Sequence, residues 1–348
     1  MSEKQFTIAV DAMGGDFAPE EIVAGALMAR DKYENIKIQL FGQTEKVKPL
    51  VTNDQRIEII EAPEVIEMGE EPVKAIRRKK ESSLVLAANA VKEGTADALF
   101  SAGNTGALLA ASIFIVGRIP GVKRPALLTV LPSIKNPKRP WVLMDVGANA
   151  ESKPTYLYQF GILADFYSRK MVGVEKPEVK LLNNGAEEDK GDQVHIAAHQ
   201  LLKNSDLNFQ GNIEARELLD GSADVVVADG FSGNAALKSI EGTALNIFGA
   251  LSDTIKNGGL RTKLGGLLVK PALKKFASVL DYNNAGGAVI LGVNAPVVKT
   301  HGSAKRLAVS NTIGQIREML ETNIVGEVKA YVENNDATFN PPVGENEE

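Results

Sequence analysis

The chain has no cysteine, which excludes disulfides, thiolate metal sites and a cysteine nucleophile together. Aromatic residues are scarce, at 5% with a single Trp, and only three histidines occur, His195, His199 and His301. A basic excess is also missing. Lys and Arg total 39 against 44 Asp and Glu, a net charge of -5, so the surplus with which nucleic-acid binders track phosphates is absent and no nucleic-acid partner is expected. Any acidic partner must meet a local basic patch. Long apolar runs are lacking too: the most apolar window, GALLAASIFIVG from Gly106, has 12 residues, short of the roughly 20 that a membrane-crossing helix needs. It reads as a helix buried in a core. The amino terminus, MSEKQFTIAVDAM, has no charged start leading into an apolar run, so it does not read as a signal peptide and a cytoplasmic location is expected.

What is present is enough material for a large core: 348 residues, 44% apolar and 24% charged. Phe6 to Val10, Ile36 to Phe41, Ile57 to Ile60, Ala98 to Phe100, Leu127 to Leu131, Trp141 to Met144, Val179 to Leu182, Val225 to Val227 and Ala288 to Leu291 are short, nearly continuous apolar runs. Such runs are strands covered on both faces. Amphipathic stretches such as PEEIVAGALMARDK lie between them, with Pro19 suited to a first helical turn and Glu20 and Glu21 to the helix dipole. The alternation predicts an α/β fold, a three-layer α/β/α sandwich around a mostly parallel sheet, as one domain over residues 1–333. Residues 334–348, acidic and Pro-containing, are expected to form a loose tail.

Polar, glycine-rich segments follow five of these runs, DAMGGD at Asp11, SAGNTGA at Ser101, DVGAN at Asp145, NNGAEEDKG at Asn183 and DGFSGN at Asp229, and THGS at Thr300, beyond the last run, completes a set of six. In a parallel sheet the carboxyl ends of the strands share one edge, so these loops are expected to converge there. Glycine lets backbone amides approach a ligand, and a helix start adds partial positive charge; together they cradle an anion such as phosphate. The nucleotide signatures G-x-x-x-x-G-K-[ST] and G-x-G-x-x-G after the first strand are absent. His195 and His199 have the spacing of a zinc helix, but Ile196 stands where a metalloprotease carries Glu, so both read as ordinary helix residues. His301, in THGS, is the best-placed ionisable donor.

In order, and over nearly the whole chain, DAMGGD, GNTGA, DVGAN, NNGAEEDKG, DGFSGNAALK and GGAVILGVNAPVVKTHGS resemble the motif series of the phosphate acyltransferase (PlsX) family of bacterial phospholipid synthesis. Two positions depart from it: Ala304 stands where the family more often has Ser, and Ala295 where Gly is more usual. The resemblance implies transfer of a fatty acyl group from acyl carrier protein to inorganic phosphate, giving acyl phosphate. It also implies a sandwich similar to isocitrate/isopropylmalate dehydrogenases and phosphotransacetylases, a homodimer, and peripheral attachment to the inner face of the cell membrane.

Phosphate can attack a thioester itself, so no relay nucleophile, cofactor or metal is required. Positioning contributes about 7–11 kcal/mol to such a reaction and one oxyanion donor about 2.7–4 kcal/mol, whereas general acid or base help adds about 10²- to 10⁴-fold. Geometry therefore outweighs proton transfer. On this reading Asn104, Thr105, Gly106, Asn184, Ser232, Gly233 and Lys238 bind phosphate, and His301, Asn234 and Lys190 are the catalytic candidates. Asp11, Asp16, Asp145 and Asp229 orient loops, because a carboxylate repels phosphate.

A second region, 249–281, is basic and leucine-rich. Between Thr254 and Leu280 it has six basic residues and no acidic one. Leu260, Arg261, Lys263, Leu264, Leu267, Leu268, Lys270 and Lys274 fit a protruding helical pair that lies on an anionic membrane, packs in a dimer, or docks an acidic carrier protein. Arg77 to Lys80 form a rival basic patch. Two other functions stay open: a phosphotransacylase of coenzyme A thioesters, and a non-catalytic membrane-bound scaffold.

Overall fold

The computed structural model describes residues 4–136, 139–280 and 286–341. In chain order its elements are β1 (Phe6–Asp11), α1 (Glu20–Lys32), β2 (Ile36–Gly42), α2 (Thr44–Val47), β3 (Ile57–Glu61), α3 (Pro72–Arg78), α4 (Ser83–Lys92), β4 (Ala98–Ser101), α5 (Thr105–Ala111), β5 (Ala126–Leu131), β6 (Trp141–Met144) and α6 (Pro154–Tyr167). They continue with β7 (Val179–Asn183), α7 (Gln193–Lys203), β8 (Phe209–Glu214), β9 (Val225–Val227), α8 (Gly230–Asn257), α9 (Leu260–Leu280), β10 (Ala288–Leu291), β11 (Val297–Lys299), α10 (Arg306–Glu321), α11 (Ile324–Asn334) and α12 (Asp336–Phe339). All nine apolar runs are strands. Two further strands, β8 and β11, complete the sheet.

Among the described residues the strand order is β3-β2-β1-β4-β11-β10-β5-β6-β9-β7-β8. Seven of its ten neighbour pairs are parallel; the three antiparallel ones, β11–β10, β10–β5 and β5–β6, are consecutive at the centre. One half of the sheet therefore runs against the other. This corrects the expectation of a single rim shared by all six loops. The register supplies what replaces it: Val10, Phe100 and Val298 pair in line, through Val289 and Leu128, with Met144, Val227 and Leu181. Carboxyl ends of both halves lie on this one row, so their loops start side by side and leave in opposite directions.

Helices cover both faces. On one, Ile22 and Val23 of α1, Leu157 and Phe160 of α6 and Val309 and Ile313 of α10 pack on Ile8, Val10 and Val227. On the other, Leu84 and Val85 of α4 and Leu108 of α5 pack on Ala9 and Leu99, while Leu218 and Leu237 pack on Leu143 and Val226. Strand periodicity sends alternate residues to the two layers, and both layers are apolar, which is why the strands read as unbroken apolar runs.

The GALLAASIFIVG window is a helix as expected, α5 followed by a π-helical turn, Ser112–Val116, although Phe114 is exposed. Among the described residues no helix is long and apolar enough to cross a membrane. The tail expectation needs correction up to residue 341, because α12 forms there and the Phe339 ring is fully buried against Tyr331. Tyr158 and Gln159 also bond the carbonyls of Thr338 and Phe339. Residues 342–348 lie outside the described part. The helical pair is present: α8 projects beyond Leu237, Gly258 and Gly259 turn the chain, and α9 returns with Gly266 set tightly against Ile255.

Candidate active site

A cavity of about 420 Å³ opens over the central strands, where the two halves of the sheet meet. Leu127 and Thr129 of β5 and Ala288 of β10 line it; Asp16, Thr105 and Thr300 to Gly302 enter from one half, and Gly147, Asn234, Lys238 and Glu241 from the other. The reversal of strand direction creates this site, since loops that start on one row approach it from both sides.

Buried carboxylates shape the loops. Asp11 accepts the hydroxyls of Ser83 and Ser101 at 2.6 and 2.7 Å, and Ser101 in turn accepts the Gly103 amide at 3.0 Å. Asp145, fully buried, accepts the amides of Leu127, Gly147, Ala148 and Asn149. Burial pushes both carboxyls above their usual range, against those hydrogen bonds. These aspartates organise loops, as expected of them.

Lys299, which sequence reasoning passed over, is the buried cation of the site. It ends β11 two residues after the buried Val297 and so shares its inward face. That spacing was the available signal: an ionisable residue in phase with a core valine. Its Nζ donates to the carbonyl of Ala102 at 3.0 Å and to that of Thr300, tying the β4–α5 and β11–α10 loops together. Desolvation pulls its pKa from 10.5 down to about 8; Asp11 and Asp16 oppose this and Lys238 adds to it. Lys238, whose Nζ donates to Glu241 at 2.8 Å, brings a second cation to the same cleft.

His301 lines the same cleft. The Ser303 amide donates to its Nδ1 at 3.2 Å and the Ser303 hydroxyl lies 2.7 Å away. An amide can only donate, so the neutral ring carries its proton on Nε2. At the start of α5, Asn104 Oδ1 takes the Ala107 amide and the Asn104 carbonyl takes that of Leu108, leaving Thr105 and Gly106 as the open first-turn amides. The Asn104 Nδ2 is spent on the carbonyls of Glu67, Met68 and Glu70, which holds Met68 against the cleft.

A family model described as "Fatty acid synthesis protein" matches residues 6–327. The chain belongs to that family. It is 69% identical over 316 residues, 90% of this chain and 91% of the relative, to a phosphate acyltransferase of Oenococcus oeni. It is 55% identical over 310 residues, 88% of this chain and 90% of the relative, to one of Levilactobacillus brevis. Among solved structures it resembles a phosphotransacetylase from Streptococcus pyogenes, with a TM-score of 0.59, 18% identity and coverage of 92% of this chain and 94% of that one. A branched-chain phosphotransacylase from Enterococcus faecalis gives 0.55, 14%, 91% and 99%. At such identities the likeness is one of fold, and it agrees with the α/β sandwich.

The remaining expected site residues do not gather with these. The start of α8 has no open amides: Gly230 donates to the Asn149 carbonyl, Phe231 and Ser232 to Asp229 Oδ1, and Gly233 to the Asp229 carbonyl. The phosphate role expected of Ser232 and Gly233 therefore lacks its backbone donors. At Gly233 a Cβ would lie 1.9 Å from the Asp145 carbonyl oxygen, and at Gly106 one would lie 2.5 Å from Pro72 Cγ, so close packing is a use for both glycines. Asn184 and Ser232 line a separate cavity of about 630 Å³ on the other side of α8, and Lys190, exposed, lines neither. The loop after β7 leaves the row from the far half of the sheet, which carries it away from His301.

Both histidines of α7 have protein partners. His199 is buried, with Nδ1 3.0 Å from Asn212 Oδ1 and its ring edge-on to Phe209. His195 bridges two carboxylates, with Nδ1 2.8 Å from Asp192 Oδ1 and Nε2 3.4 Å from Asp229 Oδ2. The Asp229 contact holds the His195 pKa above its usual value although burial opposes it. Burial also pushes Asp229 upward, but the His195 ring and Ser232 outweigh it and bring the carboxyl down to about 2. His195 thereby holds the residue that caps α8.

Proposed function

We propose that this chain transfers a fatty acyl group from a thioester donor to inorganic phosphate, forming an acyl phosphate, in the cleft around Lys299. Relatives 55–69% identical and named phosphate acyltransferase support the reaction. The observation that carries the site is a buried Lys299 in one cavity with Lys238, His301, Asn234 and the Thr105 helix start.

Phosphate binds between the lysines and the Thr105 and Gly106 amides, which strip part of its water and aim one oxygen at the thioester carbonyl. As that oxygen bonds to the carbon, the carbonyl π electrons move onto oxygen. His301 Nε2–H and the Asn234 carboxamide donate to the developing oxyanion and need not transfer a proton to it. Collapse restores the C=O bond and expels the thiolate, and the acyl phosphate leaves. In this reading the donor is an acyl carrier protein, the leucines and lysines of α9 rest on an anionic membrane surface, and two copies of the chain assemble.

The test uses purified protein, radiolabelled phosphate and matched acyl carrier protein and coenzyme A thioesters. Phosphate-dependent acyl phosphate formation, faster with the carrier protein, is expected; Asn234→Ala and His301→Ala should each lower it about 10²-fold or more. Full rates in both variants would remove those roles. A preference for coenzyme A would favour the phosphotransacylase reading, and no phosphate-dependent cleavage would leave a scaffold.

A further inference from the structure

The first three turns of α8 separate the phosphate cleft from the 630 Å³ cavity. At 3.6 residues per turn, successive side chains are 100° apart. Asn234, Leu237, Lys238 and Glu241 accordingly face the cleft, while Ser232, Ala236, Ser239 and Ile240 face the second cavity. Where that second face borders the cleft face, Ala235, small and exposed, lines the second cavity one turn from Phe231. The wall therefore has a low point across which an extended chain can lie.

The second cavity is apolar at its base, where Leu182 and Leu218 are buried, and polar at its mouth, where Asn184 and Asp192 are exposed. Phe231 stands at its edge with 73% of its surface in water. Its ring adds apolar surface beside the cavity mouth. The phosphate cleft has four charged groups in its lining, Lys238, Lys299, Asp16 and Glu241, beside Leu127, Val146 and Leu237, so a long alkyl tail lies there only next to charge, whereas the second cavity has a base free of it.

We propose that the second cavity is the acyl-chain site. It rests on the acyl-transfer reading: the tail leaves the thioester carbonyl in the cleft, crosses α8 over Ala235 beside Phe231, and lies against Leu182, Leu218 and Ile240. A helix is ~10 Å across with its side chains, so a tail shorter than that never reaches the cavity. The site then discriminates only among longer donors, and its apolar base sets how far the preference extends.

Ala236→Phe would fill the cavity from a partly exposed helix position without touching the cleft face of α8. Compared with wild type, it should lower kcat/KM for a hexadecanoyl thioester about 10-fold or more, as expected for lost alkyl burial, while a butanoyl thioester keeps its value within about 2-fold. Phe231→Ala should raise KM for the hexadecanoyl donor without changing kcat. Equal losses with both donors would mean that the cavity takes the thiol-bearing arm, and no loss would mean that the tail lies elsewhere; either overturns the proposal. A fluorescent long-chain fatty acid supplies a readout independent of turnover. Its affinity should fall about 10-fold in Ala236→Phe, and unchanged affinity would sink the acyl-chain site. A wild-type protein that binds the probe but forms no acyl phosphate would count against the reaction, not the cavity.

Discussion

Lys299 Nζ donates to the Ala102 carbonyl across 3.0 Å, joining the strand end that carries His301 to the loop that opens α5. The same cation faces the cleft, so its protonation sets both the shape and the charge of the site. Its pKa of about 8 lies below the 10.5 of a free lysine. The folded protein therefore releases this proton before the unfolded chain does. Between about pH 8 and 10.5 the unfolded state binds more protons, and the group's contribution to stability rises with pH, by about 3 kcal/mol in all. Activity moves the other way, because the cation that attracts phosphate is lost above pH 8. Acyl phosphate formation should fall through pH 8 as the KM for phosphate rises, and Lys299→Met should remove that limb while raising the KM for phosphate at pH 7. A limb that persists in Lys299→Met would assign it to another group.

How far the sequence disclosed this site depended on which physical signal each part carried. The nine apolar runs were legible because both faces of those strands are buried. β8 was not: FQGNIE is partly exposed at the sheet edge, and Gly211 with φ +86° interrupts its pattern. β11 has only three residues. The reversal of direction at the centre was readable in principle, since residues 132–140 link β5 to β6 and 292–296 link β10 to β11, both shorter than the dozen or more residues a parallel crossover requires. Gly-rich motifs, however, look alike whether their glycines bind an anion or pack a helix. Nothing in DGFSGN distinguishes open amides from the four that Asp229 and Asn149 already satisfy.

His195 and Asp229 form the second titratable link, one that holds α8 to α7. His195 has a raised pKa, so its contribution is complete below about 6.5, the unfolded value, and is lost as pH rises through the folded one. Asp229 is lowered from 3.8 to about 2, so its contribution is present above 3.8 and is lost as pH falls toward 2. Both act together between about pH 4 and 6.5. His195→Asn should therefore lower Tm most in that window, and the gap from wild type should narrow above it. A gap independent of pH would show that the ring matters only for packing.

The α8–α9 hairpin exposes a row of large apolar residues, with Leu245 75%, Leu260 77% and Leu268 82% accessible, beside Arg261, Lys263 and Lys270. Burying each leucine is worth about 1.5–3 kcal/mol, and each basic residue near an anionic surface about 1 kcal/mol. Flotation with phosphatidylglycerol vesicles should be strong at low salt and weaker at high salt. Leu268→Glu should abolish it while leaving turnover of a water-soluble thioester intact, because Leu268 does not line the cleft. If the variant floats like wild type, the hairpin is not the membrane contact.

Two glycines of one helix should respond in opposite ways. At Gly233 an added Cβ would lie 1.9 Å from the Asp145 carbonyl oxygen, and neither side can retreat: Asp229 fixes the start of α8, and four amides fix the Asp145 loop. Gly233→Ala must push the helix off the sheet, tilting Asn234 and Lys238 away from Lys299. A Tm drop of several degrees is expected, from about 2 kcal/mol or more of strain, together with a larger KM for phosphate. At Gly242, two and a half turns along, nothing lies within 4 Å of the added atom. Gly242→Ala only removes backbone freedom from the unfolded chain and should stabilise by about 0.5–1 kcal/mol, with phosphate kinetics unchanged. Thermal melts and phosphate titrations of the pair check both; a tolerated Gly233→Ala would show that the helix start is looser than its contacts imply.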